Sequence, residues 1–256
     1  MIEINKIYNE NCLDTMSRME DNFVDLTITS PPYDNLRNYK GYSFDFQNVA
    51  KELYRVTKQG GVVVWIVSDA TIDGSETGTS FKQALYFKEI GFNIHDTMIW
   101  HKPSPQVPTE SRYYDVFEYM FILSKGKPKT LNLLNDKKNK SFGSISKKET
   151  RSCREDRIIL NEIRIVKEYS RRFNVWEISR GNNTTEHPAV FPEELVNDHI
   201  LSWSNENELI YDPFMGSGTT AKMCIANKRN WIGSEISSEY CEIINKRISS
   251  VQQKLF

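Results

Sequence analysis

A doubly wound α/β domain is the architecture that this 256-residue sequence predicts. Three observations lead there. Short β-branched runs alternate with stretches of helical periodicity, two of those runs end abruptly in proline- or glycine-rich loops, and 39% hydrophobic with 12% aromatic residues supplies one sizeable core. Residues 24–29 (VDLTIT) read as the first buried strand, stopped by Pro31-Pro32. Residues 47–57 carry Val49, Leu53 and Val56 at helical spacing, and Gly60-Gly61 breaks the chain before a strand at 62–67 (VVVWIV), closing one βαβ unit. A second helix spans 81–90 with Gly91 as its C-cap, and two aromatic-rich runs follow at 96–101 and 116–123. Pro192 opens a helix to residue 201. The strand 209–212 (LIYD), a glycine loop, a helix from 219 to 227, a strand at 231–234 and a helix at 238–251 complete the chain, and no internal repeat is present.

Composition excludes several classes of function. No stretch approaches the ~20 apolar residues that cross a bilayer, and the polar start MIEINKIYNE has no basic-then-apolar signal pattern, so a cytoplasmic protein with no membrane partner is expected. Cys12, Cys153, Cys224 and Cys241 are scattered without a CxxC pair, which argues for reduced structural thiols. His95, His101, His187 and His199 form neither HxxxH nor HExxH, and no metal is expected.

A net charge of −1 hides a strong asymmetry. Residues 125–172 hold 15 Lys+Arg against 6 Asp+Glu, a charge of +9, which leaves −10 for the remainder. The segment opens on the loop-like Lys125-Gly126-Lys127-Pro128 and contains Lys137-Lys138, Lys147-Lys148 and Arg171-Arg172 among Asn and Ser, so it reads as an insertion. It is either a solvated surface excursion or a source of sequence-independent attraction for phosphates.

Two motifs stand 186 residues apart, measured from Ser30 to Gly216. Ser30-Pro31-Pro32-Tyr33 follows the first strand, and a diproline, which donates no backbone hydrogen bond, ends that strand and leaves the Ser30 hydroxyl and nearby carbonyls facing a crevice. Alone it is equally an ordinary strand-terminating turn. Asp212-Pro213-Phe214-Met215-Gly216-Ser217-Gly218-Thr219-Thr220 again joins a strand end to a helix start. Its glycines permit close backbone approach by a ligand, and the helix N-terminus suits an anionic group. A P-loop is excluded because the GxxxxGK[ST] lysine is absent, and a dinucleotide fingerprint because its third glycine is Thr. Glu235, 17 residues past Gly218 at the next strand end, either grips the two ribose hydroxyls of a nucleoside or caps the final helix.

Together these motifs resemble those of the amino-methyltransferases of DNA, which use S-adenosylmethionine (SAM) and carry an (S/N/D)PPY catalytic motif and an FxGxG cofactor motif. The order here, with the catalytic motif first, the basic insertion in the middle and Phe214-Met215-Gly216-Ser217-Gly218 last, is similar to the circularly permuted β class. The resemblance covers essentially the whole chain. It implies a Rossmann-like SAM-dependent methyltransferase fold, with a catalytic half at 1–124, a target-recognition insertion at 125–180 and a SAM-binding half at 181–256. His187-Pro188 resembles the last cofactor-side motif, and residues 7–16 resemble the strand and helix that cover the cofactor adenine, with Asn11-Cys12 standing where such proteins often have Asp-Cys.

The resemblance implies methyl transfer to an exocyclic amine in double-stranded DNA. That amine is a poor nucleophile because its lone pair is delocalised into the ring. Fixed oxygens that accept its NH hydrogens localise the pair and aim it at the methyl group. Ser30 Oγ and the Pro31 carbonyl are the candidates. Tyr33 either stacks on a base extruded from the duplex or packs in the core. Arg37 and Lys40, in an aromatic-rich stretch at 34–46 that reads as a mobile loop ordering on DNA, and Lys137, Lys138, Lys147, Lys148, Arg151 and Arg154 of the insertion are the candidate DNA contacts. Residues 69–80, rich in Gly, Ser and Thr, are either a second loop that orders on DNA or a solvent loop. Ring-carbon methylation needs a thiolate, normally in a Pro-Cys pair, and no cysteine here follows a proline. Ser before Pro-Pro-Tyr favours N(4) of cytosine, with N(6) of adenine as the alternative. A methyltransferase of RNA or protein, and a DNA-binding module without activity, are the competing readings. By resemblance a homodimer is expected, and a companion restriction endonuclease is left open.

Overall fold

The computed structural model describes residues 2–32, 44–103, 112–148, 162–180 and 191–252. They fall into two compact units, Met1–Asn132 with Asn174–Phe256, and Leu133–Phe173. The first unit begins with β1 (Lys6–Tyr8), α1 (Cys12–Ser17), β2 (Val24–Thr29), α2 (Phe46–Val56), β3 (Thr57–Val67), the short hairpin of β4 (Thr71–Ile72) and β5 (Ser75–Glu76), α3 (Thr79–Glu89), β6 (Asn93–His101) and β7 (Phe117–Ser124). The second unit holds β8 (Lys137–Lys138), β9 (Ile145–Lys148), β10 (Glu162–Ile165) and β11 (Tyr169–Ser170). The first unit resumes with β12 (Val175–Glu177), α4 (Glu193–Trp203), β13 (Leu209–Asp212), α5 (Thr219–Ala226), β14 (Asn230–Ser234) and α6 (Ser238–Gln252).

Eight strands form one sheet in the order β1-β14-β13-β2-β3-β7-β6-β12. β7 is antiparallel to both its neighbours, and the other pairs are parallel. The last two strands of the chain are therefore inserted beside the first two, and β13 lies against β2 through Ile210↔Leu26 and Tyr211↔Thr27. The α/β class and the permuted strand order agree with what the sequence and its resemblance imply, and the antiparallel β7 makes the sheet mixed.

Both faces of the sheet are covered, which is why its strands read as continuous apolar runs. Val63, Trp65 and Val67 of β3 pack with Phe121 and Leu123 of β7 and Tyr211 of β13 against Met16 of α1, Val49, Leu53 and Val56 of α2 and Phe87 of α3. The alternate residues Val62, Val64 and Ile66, also buried, point to the opposite face. There α4 and α5 pack on β2 and β14, and His199 of α4 sits 3.3 Å from the Met120 sulfur and stacks on Trp176 at 4.6 Å. Burying each Val or Ile of β3 contributes about 1.5–3 kcal/mol.

β3 starts at Thr57 rather than at residue 62. The pairing with β2 steps from Val24↔Thr57 to Leu26↔Val62, and Gly60 at φ +82° absorbs the extra residues, so the glycine pair makes a bulge within the strand instead of a break before it. Lys125, inside the basic window, spends its ammonium on the C-terminal end of α2, donating to the Tyr54 and Thr57 carbonyls at 2.8 and 3.0 Å. Residues 125–132 and 174–180 belong to the first unit, and β12 pairs with the sheet edge at β6.

The second unit is built from two antiparallel ladders, β8 with β11 and β9 with β10. Arg172 ion-pairs with Asp136, and the Lys137 ammonium lies 3.7 Å from the centre of the Phe173 ring.

Candidate active site

β2 delivers Thr29 to the carboxyl edge of the sheet, and Ser30-Pro31-Pro32 follows at once, with Pro31 buried and Ser30 and Pro32 partly so. Its neighbour β13 ends at the same edge in Asp212. The Asp212 carboxylate accepts hydrogen bonds from Thr29 Oγ1 at 2.8 Å, Thr220 Oγ1 at 2.6 Å and the Phe214 amide at 3.1 Å. One buried side chain thus joins the residue before Ser30 to both ends of the glycine loop. Burial pushes its pKa up to about 6, although the bonds from Thr220, Thr29 and the Phe214 amide pull the other way.

The loop itself is tightly framed. The Met215 amide donates to the Ser234 carbonyl at 2.9 Å, and the Gly218 amide closes a turn on the Met215 carbonyl at 2.9 Å. Gly216 and Gly218 sit at φ +53° and +82°, the left-handed region that side-chain-bearing residues avoid, and a Cβ on Gly218 would come 3.0 Å from Ile244. Gly218 is the N-cap of α5, and no side chain caps that helix. Pro213 is buried, and Phe214 meets the ring of Phe44 edge-on at 5.4 Å. Ser217 and Thr219 are buried, and the Thr219 hydroxyl donates to the Phe191 carbonyl at 3.3 Å.

Glu235 follows β14. Its carboxylate accepts from the Gly216 amide and from the Ser237 amide, each at 2.9 Å, and burial holds its pKa above the usual carboxylate range. The carboxylate thus braces the glycine turn and ties down Ser237, the residue before α6, which agrees with the capping reading. The connection from β1 to α1 lies beside it. Asn9 Nδ2 donates to the Glu235 carbonyl at 2.9 Å, and the Glu235 amide to the Tyr8 carbonyl at 3.0 Å. Asn11 is the N-cap of α1, its side chain accepting from the Leu13 amide at 2.9 Å. Cys12 is buried in the core, where desolvation pushes its thiol up to about 12.

Ser30, Asp212, the 213–220 loop, Glu235, Asn11 and Cys12 are thus gathered along one stretch of the sheet's carboxyl edge. Tyr33, Arg37, Lys40, Arg151, Arg154, His187 and Pro188 lie outside the described residues. Lys137 and Lys138 form β8, and Lys147 and Lys148 belong to β9, all in the second unit. Three contributors escaped the sequence reading. Thr29 could have been noticed as a hydroxyl at the end of an apolar strand. Asn9 and Phe44 carry no local signal.

A family model described as DNA methylase matches residues 24–246. The chain belongs to that family. It is 57% identical over 236 residues to the orphan methyltransferase M.BamHII of Bacillus amyloliquefaciens, with 89% of each chain covered. Its fold is similar to the solved PvuII DNA methyltransferase (cytosine-N4-specific), with a TM-score of 0.71 at 19% identity, covering 98% of this chain and 92% of that one. It is also similar to a Thermus thermophilus protein solved in complex with SAM, with a TM-score of 0.66 at 20% identity and coverages of 96% and 93%.

Proposed function

We propose that this protein transfers the methyl group of SAM to N(4) of cytosine in duplex DNA, at a base extruded from the helix. The observation that carries the reading is the Asp212 junction, because the Thr29 and Phe214 bonds put the residue before Ser30 and the residue before Met215 on one carboxylate. The edge fits SAM. Gly216 and Gly218 offer a backbone without side chains, and Glu235 keeps lone pairs for ribose hydroxyls beside its two amide bonds. When bound there, SAM supplies an electrophilic methyl on a sulfonium.

The chain's own residues supply orientation. Ser30 Oγ and the Pro31 carbonyl accept the two hydrogens of the target amine, raising its nucleophilicity and fixing its line of approach. Ser30 need not be a strong base, since the amine becomes acidic as it is alkylated and releases its proton to water. Tyr33 stacks on the extruded base. Serine ahead of Pro-Pro-Tyr favours cytosine over adenine N(6), the alternative target. Phosphates are met by Arg37, Lys40 and the cations of the insertion, Lys137, Lys138, Lys147, Lys148, Arg151 and Arg154.

Among the described residues no helix is long and apolar enough to cross a membrane, and the reading places the enzyme in the cytoplasm with the cell's DNA. The resemblance to the β class supports a homodimer. Because the 57% identical relative is called an orphan, we place this chain too outside an obligatory partnership with a restriction endonuclease. The decisive experiment uses methyl-labelled SAM with duplex DNA, RNA and protein in parallel. Label enters duplex DNA alone, nucleoside mass spectrometry finds N(4)-methylcytosine, and Ser30→Ala abolishes transfer while SAM still binds. Label in RNA or protein, or full transfer by Ser30→Ala, overturns the reading.

A further inference from the structure

We infer that Arg247, on the final helix, is a positioning residue that latches the glycine turn in its cofactor-receiving conformation. The inference rests on the reading of that turn as the SAM site.

Arg247 Nη1 lies 3.0 Å from the Ser217 carbonyl, 3.2 Å from Ser217 Oγ and 3.1 Å from Thr219 Oγ1. Nη1 has two hydrogens for these three acceptors, so at least one is shared. Nη2 donates to Glu193 at 2.6 Å, and the same Glu193 oxygen receives Lys222 at 2.5 Å. One carboxylate at the start of α4 therefore anchors a cation from α5 and another from α6, and the α6 cation holds the turn. The Arg247 side chain is 16% exposed and that of Glu193 42%, so the bonds from Arg247 to the turn are better shielded from water than its ion pair with Glu193.

Inside the turn the Ser217–Gly218 peptide plane is held only from its amide side, by the Gly218 bond to the Met215 carbonyl, and Arg247 supplies the hold on its carbonyl side. Flipping that plane changes ψ of Ser217 and φ of Gly218 by about 180°, and glycine accepts either sign of φ. In a trans peptide the carbonyl and amide point in opposite directions. Fixing the Ser217 carbonyl on Arg247 therefore aims the Gly218 amide back at Met215, where its 2.9 Å bond closes the turn. A flip would break both bonds and reverse the polar groups that the turn presents. Lysine is a poor substitute, since a single ammonium cannot span Ser217 and Glu193 as a planar fork does.

The test compares wild type, Arg247→Ala, Arg247→Lys and Glu193→Gln as full chains, measuring SAM affinity by calorimetry, KM and kcat for methyl transfer, duplex DNA affinity and thermal midpoint. Arg247→Ala is expected to weaken SAM binding and raise its KM by about tenfold, with kcat at saturating SAM and DNA affinity within about twofold. Arg247→Lys recovers part of the loss, and Glu193→Gln weakens SAM binding in the same direction by a smaller factor. If Arg247→Ala does not fold, the Lys and Gln variants carry the comparison. SAM affinity within twofold of wild type in every folded variant, or a loss in kcat and DNA affinity equal to the loss in SAM affinity, overturns the inference. Wild type that binds no SAM overturns the reading of the site itself.

Discussion

Asp212 makes the junction between the two motifs testable through pH. Burial raises its pKa from 3.8 to about 6, so the native state holds this proton more tightly than the unfolded chain does. Its contribution to stability is therefore complete below pH 3.8 and is lost as pH rises through 6, opposite to the usual surface carboxylate. Replacing Asp212 by Asn removes the titration but keeps the shape. The lost hydrogen bonds shift the variant's stability by an amount that does not depend on pH, so the pH-dependent part of the difference isolates the carboxylate. Between pH 4.5 and 7.5, sites at 3.8 and 6 differ by about 1.4 pH units of integrated proton binding, and wild type should lose about 2 kcal/mol relative to Asp212→Asn. Glu235, whose pKa the Asp212 charge also raises, adds in the same direction. Urea denaturation of both proteins at half-unit steps of pH measures the difference directly. A difference that stays flat, or that grows in favour of wild type with pH, would show that the carboxylate is ionised at little cost and that the junction is not the dry, fully bonded site described above.

Gly218→Ala forces a Cβ into the left-handed region and within 3.0 Å of Ile244, so it should lower stability by about 1 kcal/mol and weaken SAM binding further, read by thermal melting and calorimetry. Lys125→Met removes donors from the end of α2 and should cost about 1–2 kcal/mol in denaturation while the salt dependence of DNA binding stays unchanged. Replacing Lys137 and Lys138 together by Ala should do the reverse, flattening the slope of log K against log salt by about one unit for each phosphate left without its cation, with little effect on stability.

Residues 24–29 and 209–212 coincide with β2 and β13 because each run is rich in apolar or β-branched residues and bounded by residues that stop a strand, Pro31-Pro32 in one case and Pro213 with Gly216 in the other. β3 was legible only in its apolar part. Its first five residues pair through a bulge, and a glycine pair reads as a break unless the partner strand is known. The four strands of the insertion are two to four residues long, and Ile145 and Ile165 are exposed, so neither length nor apolar alternation marked them. At the site, Ser30 and the glycine loop announced themselves through their own spacing. What the Asp212 carboxylate bonds to did not, because Thr29 is 183 residues away and becomes a partner only once β13 is known to pair with β2. Arg247 and Glu193 carried no signal in the sequence for the same reason.

The placement of the crevice follows from where the chain goes after each of these two strands. Leaving β2 it enters α2, whose Val49 and Leu53 pack on the face that holds Trp65 and Phe87. Leaving β13 it enters α5, which packs with α4 and α6 away from that cluster. The two connections diverge to opposite faces, and the gap between adjacent strand ends is the ligand-binding position of an open α/β sheet. In the proposed reaction the methyl donor at the glycine turn and the acceptor amine at Ser30 would both be reached from that gap. The order of the motifs along the chain is then immaterial to the chemistry. What the sequence must preserve is the pairing of β2 with β13 and the buried carboxylate that holds their ends together.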